Sequence, residues 1–373
     1  MSDVVAVEVV EDNDAPRSKQ VEAWHIVAAM VAVYVLVFGT LTWRQQSNFG
    51  TFGFDMGIYD QGIYLTSRFQ EPFLTVRGLN YFGHHVNLLT LIFVPIYWFG
   101  GGPHALYLVQ TIFMALGAVP VWLLGRHLIG NPSVALVPAG AYLLFPSLQW
   151  INWWHFHPDA LIITPLLFAW YFATTKNWRW FCVATAVALL AKEDAALAVC
   201  VIGVILFFKG ERKWGIRTAA AGVVWFLVCT RLIIPIANGG KAPFYEEFFP
   251  GFGDSAFEIA WNIIRHPSLV YDKAFMTEQL TYFRKLLLPV GLMPFAAPIT
   301  LLIGSPQAMV NVVSAHSPTH DIRFHYSSIV IAAIFISTTH GFAKFARRGE
   351  LWRMFAVSVL VLSSVMANHE WSP

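Results

Sequence analysis

The chain has 373 residues, of which 57% are hydrophobic, 16% aromatic and only 12% charged. Soluble domains carry about 25% charged residues, so this composition excludes an ordinary soluble fold and points to an all-α integral membrane protein. A formal net charge of +2, spread over short loops, gives no basis for a nucleic-acid partner.

Residues 1–23 hold Asp3, Glu8, Glu11, Asp12, Asp14 and Glu22 against Arg17 and Lys19, which reads as a disordered acidic cytoplasmic tail. A basic n-region and a small-residue cleavage site are both missing, so the first apolar run is expected to stay as an anchor. Residues 24–373 read as one polytopic domain of ten or eleven membrane helices. Spans are expected near 24–43, 104–125, 133–150, 159–175, 179–191, 194–208, 218–237, 286–303, 324–342 and 352–368. Cys182, Cys200 and Cys229 all fall inside apolar runs and read as small core residues.

Lysine and arginine favour cytoplasmic loops. "KGERKWGIR" (209–217), "KFARRGELWR" (344–353), Arg126 and the pair Lys176 and Arg179 therefore mark the inner side, with the N-terminus cytoplasmic in a plasma (inner) membrane. The external loops are then 44–103 and 238–285, with shorter ones at 151–158, 192–194 and 320–325. Within the first of these, "FGFDMGIYDQGIYLTSRF" (52–69) suits a helix on the membrane surface. "VNLLTLIFVPIYWFGGG" (86–102), interrupted by Pro95, suits an interfacial or re-entrant one. Residues 179–208 must cross twice within 30 residues, so "AKED" (191–194) is expected to turn below the membrane surface. Residues 304–319 are too short for a crossing.

With this topology thirteen unusual residues fall on one face: Asp55, Asp60, His84, His85, His155, His157, Asp159, Lys192, Glu193, Asp194, Arg231, His320 and His325. Ionisable groups at membrane depth are functional candidates because each costs several kcal/mol unless paired or hydrated. Each also has a plainer reading. Asp55 suits an N-cap, Asp159 after Pro158 a helix start, and Lys192, Glu193 and Asp194 a self-neutralising turn. Arg231 suits a snorkelling side chain.

A hydroxyl attacking an activated sugar carbon needs a carboxylate to take its proton, and Asp55 fits. A phosphate leaving group needs cations, and Lys192 and Arg231 fit. Histidines beside carboxylates could hold a divalent metal, the one cofactor the composition suggests, although H-x-H alone is weak because helical side chains two apart diverge.

"FDMGIYDQ" (54–61), "FGHHVN" (82–87), "LFPSLQWINWWHFHPD" (144–159), "LLAKEDAAL" (189–197) and "FHY" (324–326) resemble, in order, motifs of an uncharacterised family of prokaryotic polytopic membrane proteins. That family is distantly similar in architecture to the GT-C glycosyltransferases. The resemblance implies a transferase moving a sugar from a polyprenyl-phosphate lipid to an acceptor outside the membrane. By position it implies Asp55 as base or metal ligand, Asp159 as the second catalytic carboxylate and Lys192 as a phosphate contact. Around these, Glu193, Asp194, His84, His325 and Arg231 are expected to bind substrate, and His85, His155 and His157 a metal. The sequence departs from GT-C enzymes at Met56, where a second acid is common, and at Glu193 and Asp194, where glycine and proline are common. The competing readings are a transporter or flippase for an anionic or lipid-linked solute and a non-catalytic envelope-assembly protein.

Overall fold

A computed structural model describes residues 17–51, 53–240, 248–253 and 256–373. Most of the expected acidic tail, 1–16, lies outside the described residues. Its last part, 17–23, is already helical and belongs to α1 (Arg17–Ser47), a run with no proline and a single glycine. Next come α2 (Gly53–Ser67), a two-residue hairpin of β1 (Phe73–Leu74) and β2 (Leu79–Asn80), α3 (Tyr81–His84) and α4 (Val94–Trp98). A continuous apolar run follows, formed by α5 (Pro103–Leu116) and α6 (Ala118–Ile129).

The expected span over 133–150 is instead two helices, α7 (Leu136–Leu143) and α8 (Pro146–Trp154). Pro146 disfavours helical geometry at the residue before it, and Phe145 is extended, with φ −69° and ψ 120°. The bundle continues through α9 (Ile163–Thr174), α10 (Trp178–Ala191), α11 (Ala195–Phe208), α12 (Arg212–Val228) and the short α13 (Ile234–Ala237). Beyond them lie α14 (Ala256–Arg265), α15 (Pro267–Ala274) and α16 (Thr277–Leu287).

The expected span over 286–303 is also broken. Pro289, Pro294 and Pro298 fall in the short turns Leu288–Val290 and Met293–Ala296 and in α17 (Pro298–Leu301), with Gly291 and Leu292 left-handed between them. Irregular backbone inside a membrane protein needs partners for its freed polar groups. Ser337 supplies them by donating to Pro294 O at 2.9 Å and Ala297 O at 2.7 Å, and Lys344 Nζ donates to Ala296 O at 2.7 Å. The chain ends with α18 (Ser305–Val313), α19 (Ser328–Ala346) and α20 (Glu350–Trp371).

The molecule is an all-α membrane protein. Among the described residues five helical runs are long and apolar enough to cross a bilayer, and five shorter apolar runs accompany them. Burial separates their roles. The run His325–Ala346 is 83% buried, whereas Ser18–Ser47 and Glu350–Trp371 are 22% and Arg212–Ala237 17% buried. So α19 is the spine, and α1, α12 and α20 turn most of their apolar surface outward. The helices α11 and α12 approach at backbone distance. A Cβ on Gly203 would collide with Ala219 N and one on Gly215 with Phe207 N, the small-residue contact that lets membrane helices pack closely.

Two features fix the site. First, α10 and α11 each have 14 residues, about 21 Å of helix, against a hydrocarbon core of about 30 Å. The Lys192–Asp194 turn joins these two short helices. Second, the opposite ends of these helices carry the basic loops, tied by a 2.6 Å pair between Lys176 and Glu211 and by stacking of Trp178 on Trp214.

Candidate functional site

The segment after α8 is non-helical up to His157, and a 3-10 turn, Pro158–Ile162, then leads into α9, as expected for Asp159 after Pro158. Pro158 opens a new 3-10 turn, so the preceding residues cannot continue α8; His155 has φ −163°, ψ 163° and His157 φ −148°, ψ 129°. In extended chain, residues two apart point the same way. The two histidine rings therefore share a side, 5.4 Å apart, while Phe156 between them is buried in the core. Gln110, in the middle of α5, clasps this strand-like piece. Its Oε1 accepts from His157 N–H at 2.8 Å and its Nε2 donates to His155 O at 3.2 Å. His325, at the head of the α19 run, lays its ring on that of His157, 3.3 Å between centroids at 10°, and 5.8 Å from His155.

Lys192, extended at the end of α10, is only 4% exposed. Its Nζ donates to Asp159 Oδ1 at 2.8 Å and lies 3.2 Å from Asp194 Oδ2. The other oxygen of Asp159 accepts from His157 Nδ1 at 3.0 Å. Tyr59 places its hydroxyl 3.0 Å from the same nitrogen, and Asp55 Oδ2 is 3.6 Å from His155 Nε2. These groups thus lie in series, Asp55, His155, His157, Asp159, Lys192, Asp194, with His155 and His157 meeting edge-on as rings and the other neighbours as polar pairs. The interior side chains of the series are 3–7% exposed, while Asp55 and Asp194 at its ends are 22% and 34% exposed. Solvent meets the series at two carboxylates.

Glu193 turns the other way. It accepts from His85 Nδ1 at 2.6 Å and from Val86 N–H at 3.0 Å. Burial alone would raise its pKa, but His85 and Lys192 hold the carboxyl below its ordinary range. His84 packs against His85 with centroids 4.4 Å apart, and burial, reinforced by the His85 ring and Arg77, pushes it well below the usual imidazole value.

Ten of the thirteen residues singled out from the sequence lie in this cluster. Three do not. Asp60 accepts from Tyr97 OH at 2.6 Å and ties α2 to α4; burial raises its pKa, against that hydrogen bond. His320 pairs with Glu278 at 3.1 Å. Arg231 is exposed on the π-helical turn Cys229–Ile233 and enters no ion pair among the described residues. Sequence reasoning missed Tyr59, Gln110 and Tyr326, whose ring lies 4.1 Å from His325. A lone glutamine inside the apolar run "LYLVQTIFMAL" was the signal for Gln110.

Chemically, Asp55 is the group best placed to meet a substrate proton, because it is reachable and backed by His155. The imidazoles of His155, His157 and His325 bring donor atoms within 4.8 Å of one another. His85, expected from the sequence to bind a metal, has its Nδ1 2.6 Å from Glu193 Oε1 and lies outside this group of three imidazoles.

The family model described as predicted membrane protein (DUF2079) matches residues 45–371. No curated protein matches the chain.

Proposed function

The chain belongs to the predicted membrane protein family DUF2079, and on that premise we propose that it is a membrane transferase. It moves a sugar from a polyprenyl-phosphate donor to an acceptor hydroxyl. The observation that carries the reading is the series of contacts from Asp55 through the histidines and Asp159 to Lys192. These groups come from three separate parts of the chain, α2, the 155–159 segment and the turn after Ala191, and meet at the end of the bundle opposite the basic loops. With those loops in the cytoplasm, the cluster opens toward the extracytoplasmic side of the plasma (inner) membrane.

In the reaction the acceptor oxygen attacks the anomeric carbon and forms the new glycosidic bond. The bond between that carbon and the phosphate oxygen breaks, and polyprenyl phosphate leaves with the electron pair. Asp55 takes the hydroxyl proton. His155 at 3.6 Å positions the carboxylate. Asp159 is a positioning residue, since both its oxygens are engaged by His157 and Lys192. Lys192 already faces two carboxylates, so a donor phosphate reaches it by taking the place of Asp194, the more exposed of the two. His84, Glu193 and His85 form the wall beside that position. Arg231, exposed on the turn Cys229–Ile233 outside the cluster, takes no part in this step.

The test uses the full chain in proteoliposomes with a polyprenyl-phosphate-linked labelled hexose and a panel of hydroxyl acceptors. Asp55→Asn should lower transfer at least about 100-fold, the scale of a lost general base, while leaving the unfolding midpoint unchanged. Full transfer by Asp55→Asn, or none by the wild type with any acceptor, overturns the proposal.

A further inference from the structure

We propose that His155, His157 and His325 form a binding site for one divalent transition-metal ion of the zinc type, with Asp55 beside the open fourth position. The inference concerns the same cluster but stands whether or not the transferase reading does.

Three independent features carry it. The donor atoms of the three imidazoles all lie within 4.8 Å of one another. Around a tetrahedral ion with nitrogens at about 2.0–2.1 Å they would be about 3.3 Å apart, so the widest pair has up to about 1.5 Å to close. Next, His325 is 6% exposed and its Nδ1 is buried with no hydrogen-bond partner. A buried, unpartnered polar atom costs about 1–3 kcal/mol, and a metal ion would satisfy it. Last, His157 Nδ1 lies 3.0 Å from Asp159 Oδ2. With its N–H given to that carboxylate, Nε2 is the ligand nitrogen, and the Tyr59 hydroxyl 3.3 Å from Nε2 turns aside to Nδ1 or solvent when an ion binds. A carboxylate behind a ligating histidine is the usual device that fixes its tautomer and raises its basicity.

His157 and His325 lie parallel with ring centroids 3.3 Å apart. Imidazole lone pairs lie in the ring plane, so binding an ion needs these two rings to splay until those lone pairs meet. Imidazole donors select zinc, copper, iron or nickel over magnesium and calcium, which prefer oxygen. Asp55, 3.6 Å from His155 Nε2 and 22% exposed, is close enough to become the fourth ligand or to hold a water there.

The experiment uses the full chain purified in detergent without a histidine tag, stripped with chelator and dialysed against Zn²⁺, Co²⁺ or Mg²⁺. Elemental analysis should find about one zinc per chain and no retained magnesium. Cobalt should give the intense visible bands of a tetrahedral site. His325→Phe should lose the ion, whereas His320→Phe, outside the cluster, should keep it, and Asp159→Asn should weaken binding about 10–100-fold. Should His325→Phe fail to fold, the wild-type cobalt spectrum and zinc stoichiometry decide alone. Less than about 0.2 zinc per chain, an octahedral cobalt spectrum, or a folded His325→Phe that still binds one zinc would overturn the proposal. Retention of zinc alongside loss of transfer in Asp55→Asn would separate this site from the proposed reaction.

Discussion

Removing the ammonium at Lys192 is the sharpest test of how the cluster is held together. Its Nζ is 2.8 Å from Asp159 and 3.2 Å from Asp194, and its side chain is 5% exposed. At an effective dielectric of about 20, the first contact alone is worth about 6 kcal/mol before desolvation. Burying the lysine cancels part of that, and the net cost of removing one partner from such a pair is about 3–5 kcal/mol, because the other charge stays buried. Lys192→Met should therefore destabilise by about 3–5 kcal/mol. Asp159→Asn should cost less, about 1–3 kcal/mol, since Asp194 still balances the lysine. The double variant should fall short of the sum by at least about 1 kcal/mol. The assay is reversible unfolding in mixed micelles with added SDS, followed by tryptophan fluorescence, with Lys213→Met as control because Lys213 is exposed at the basic end. A Lys192→Met variant within about 1 kcal/mol of that control, or strict additivity in the double variant, would refute the reasoning.

Gln110→Leu should lower the unfolding free energy by about 2 kcal/mol, since two backbone groups of the 155–157 segment lose their partner; it should also reduce zinc retention, which a stability effect elsewhere in the bundle would not do. Gly215→Val should block assembly of α11 against α12, because its Cβ falls 2.5 Å from Phe207 N. Gly57→Ala, with nothing within 4 Å, should be neutral in the same folding assay. Acidification should destabilise the protein through His84. Its pKa is depressed in the folded state, so below about pH 6.5 the unfolded chain binds the proton more readily. Stability should fall by up to about 1.4 kcal/mol per pH unit for this group, and unfolding midpoints between pH 7 and 5 should show a shallower decline in His84→Phe.

Much of the architecture was legible because membrane spans write themselves into composition. The anchor, the long run after Pro103, the paired short helices on either side of "AKED" and the last two helices all follow from apolar length and basic loops. The breaks were less legible. Pro146 and the prolines at 289, 294 and 298 sit inside apolar runs that count as continuous by hydropathy, and only the partner carbonyl contacts from Ser337 and Lys344 show why a broken path is tolerated there. The site divided in the same way. Ionisable residues in an apolar sequence announce themselves, so Asp55, Asp159 and Lys192 were found. The side of the backbone on which each stands was not readable. The loop before Pro158 and the helix start at Asp159 were legible, but not that His155 and His157 stand extended in that loop, so that their rings share a side. Arg231 and His320 shared the composition signal without sharing the place.

The brevity of α10 and α11 has a consequence for the surrounding lipid. Each falls about 9 Å short of a typical hydrocarbon core, and hydrophobic mismatch costs fractions of a kcal/mol per Å unless the bilayer deforms. For the ends of these two helices to meet the surface of such a bilayer, the lipid beside them would have to thin, and a membrane with a thinner core would suit them better.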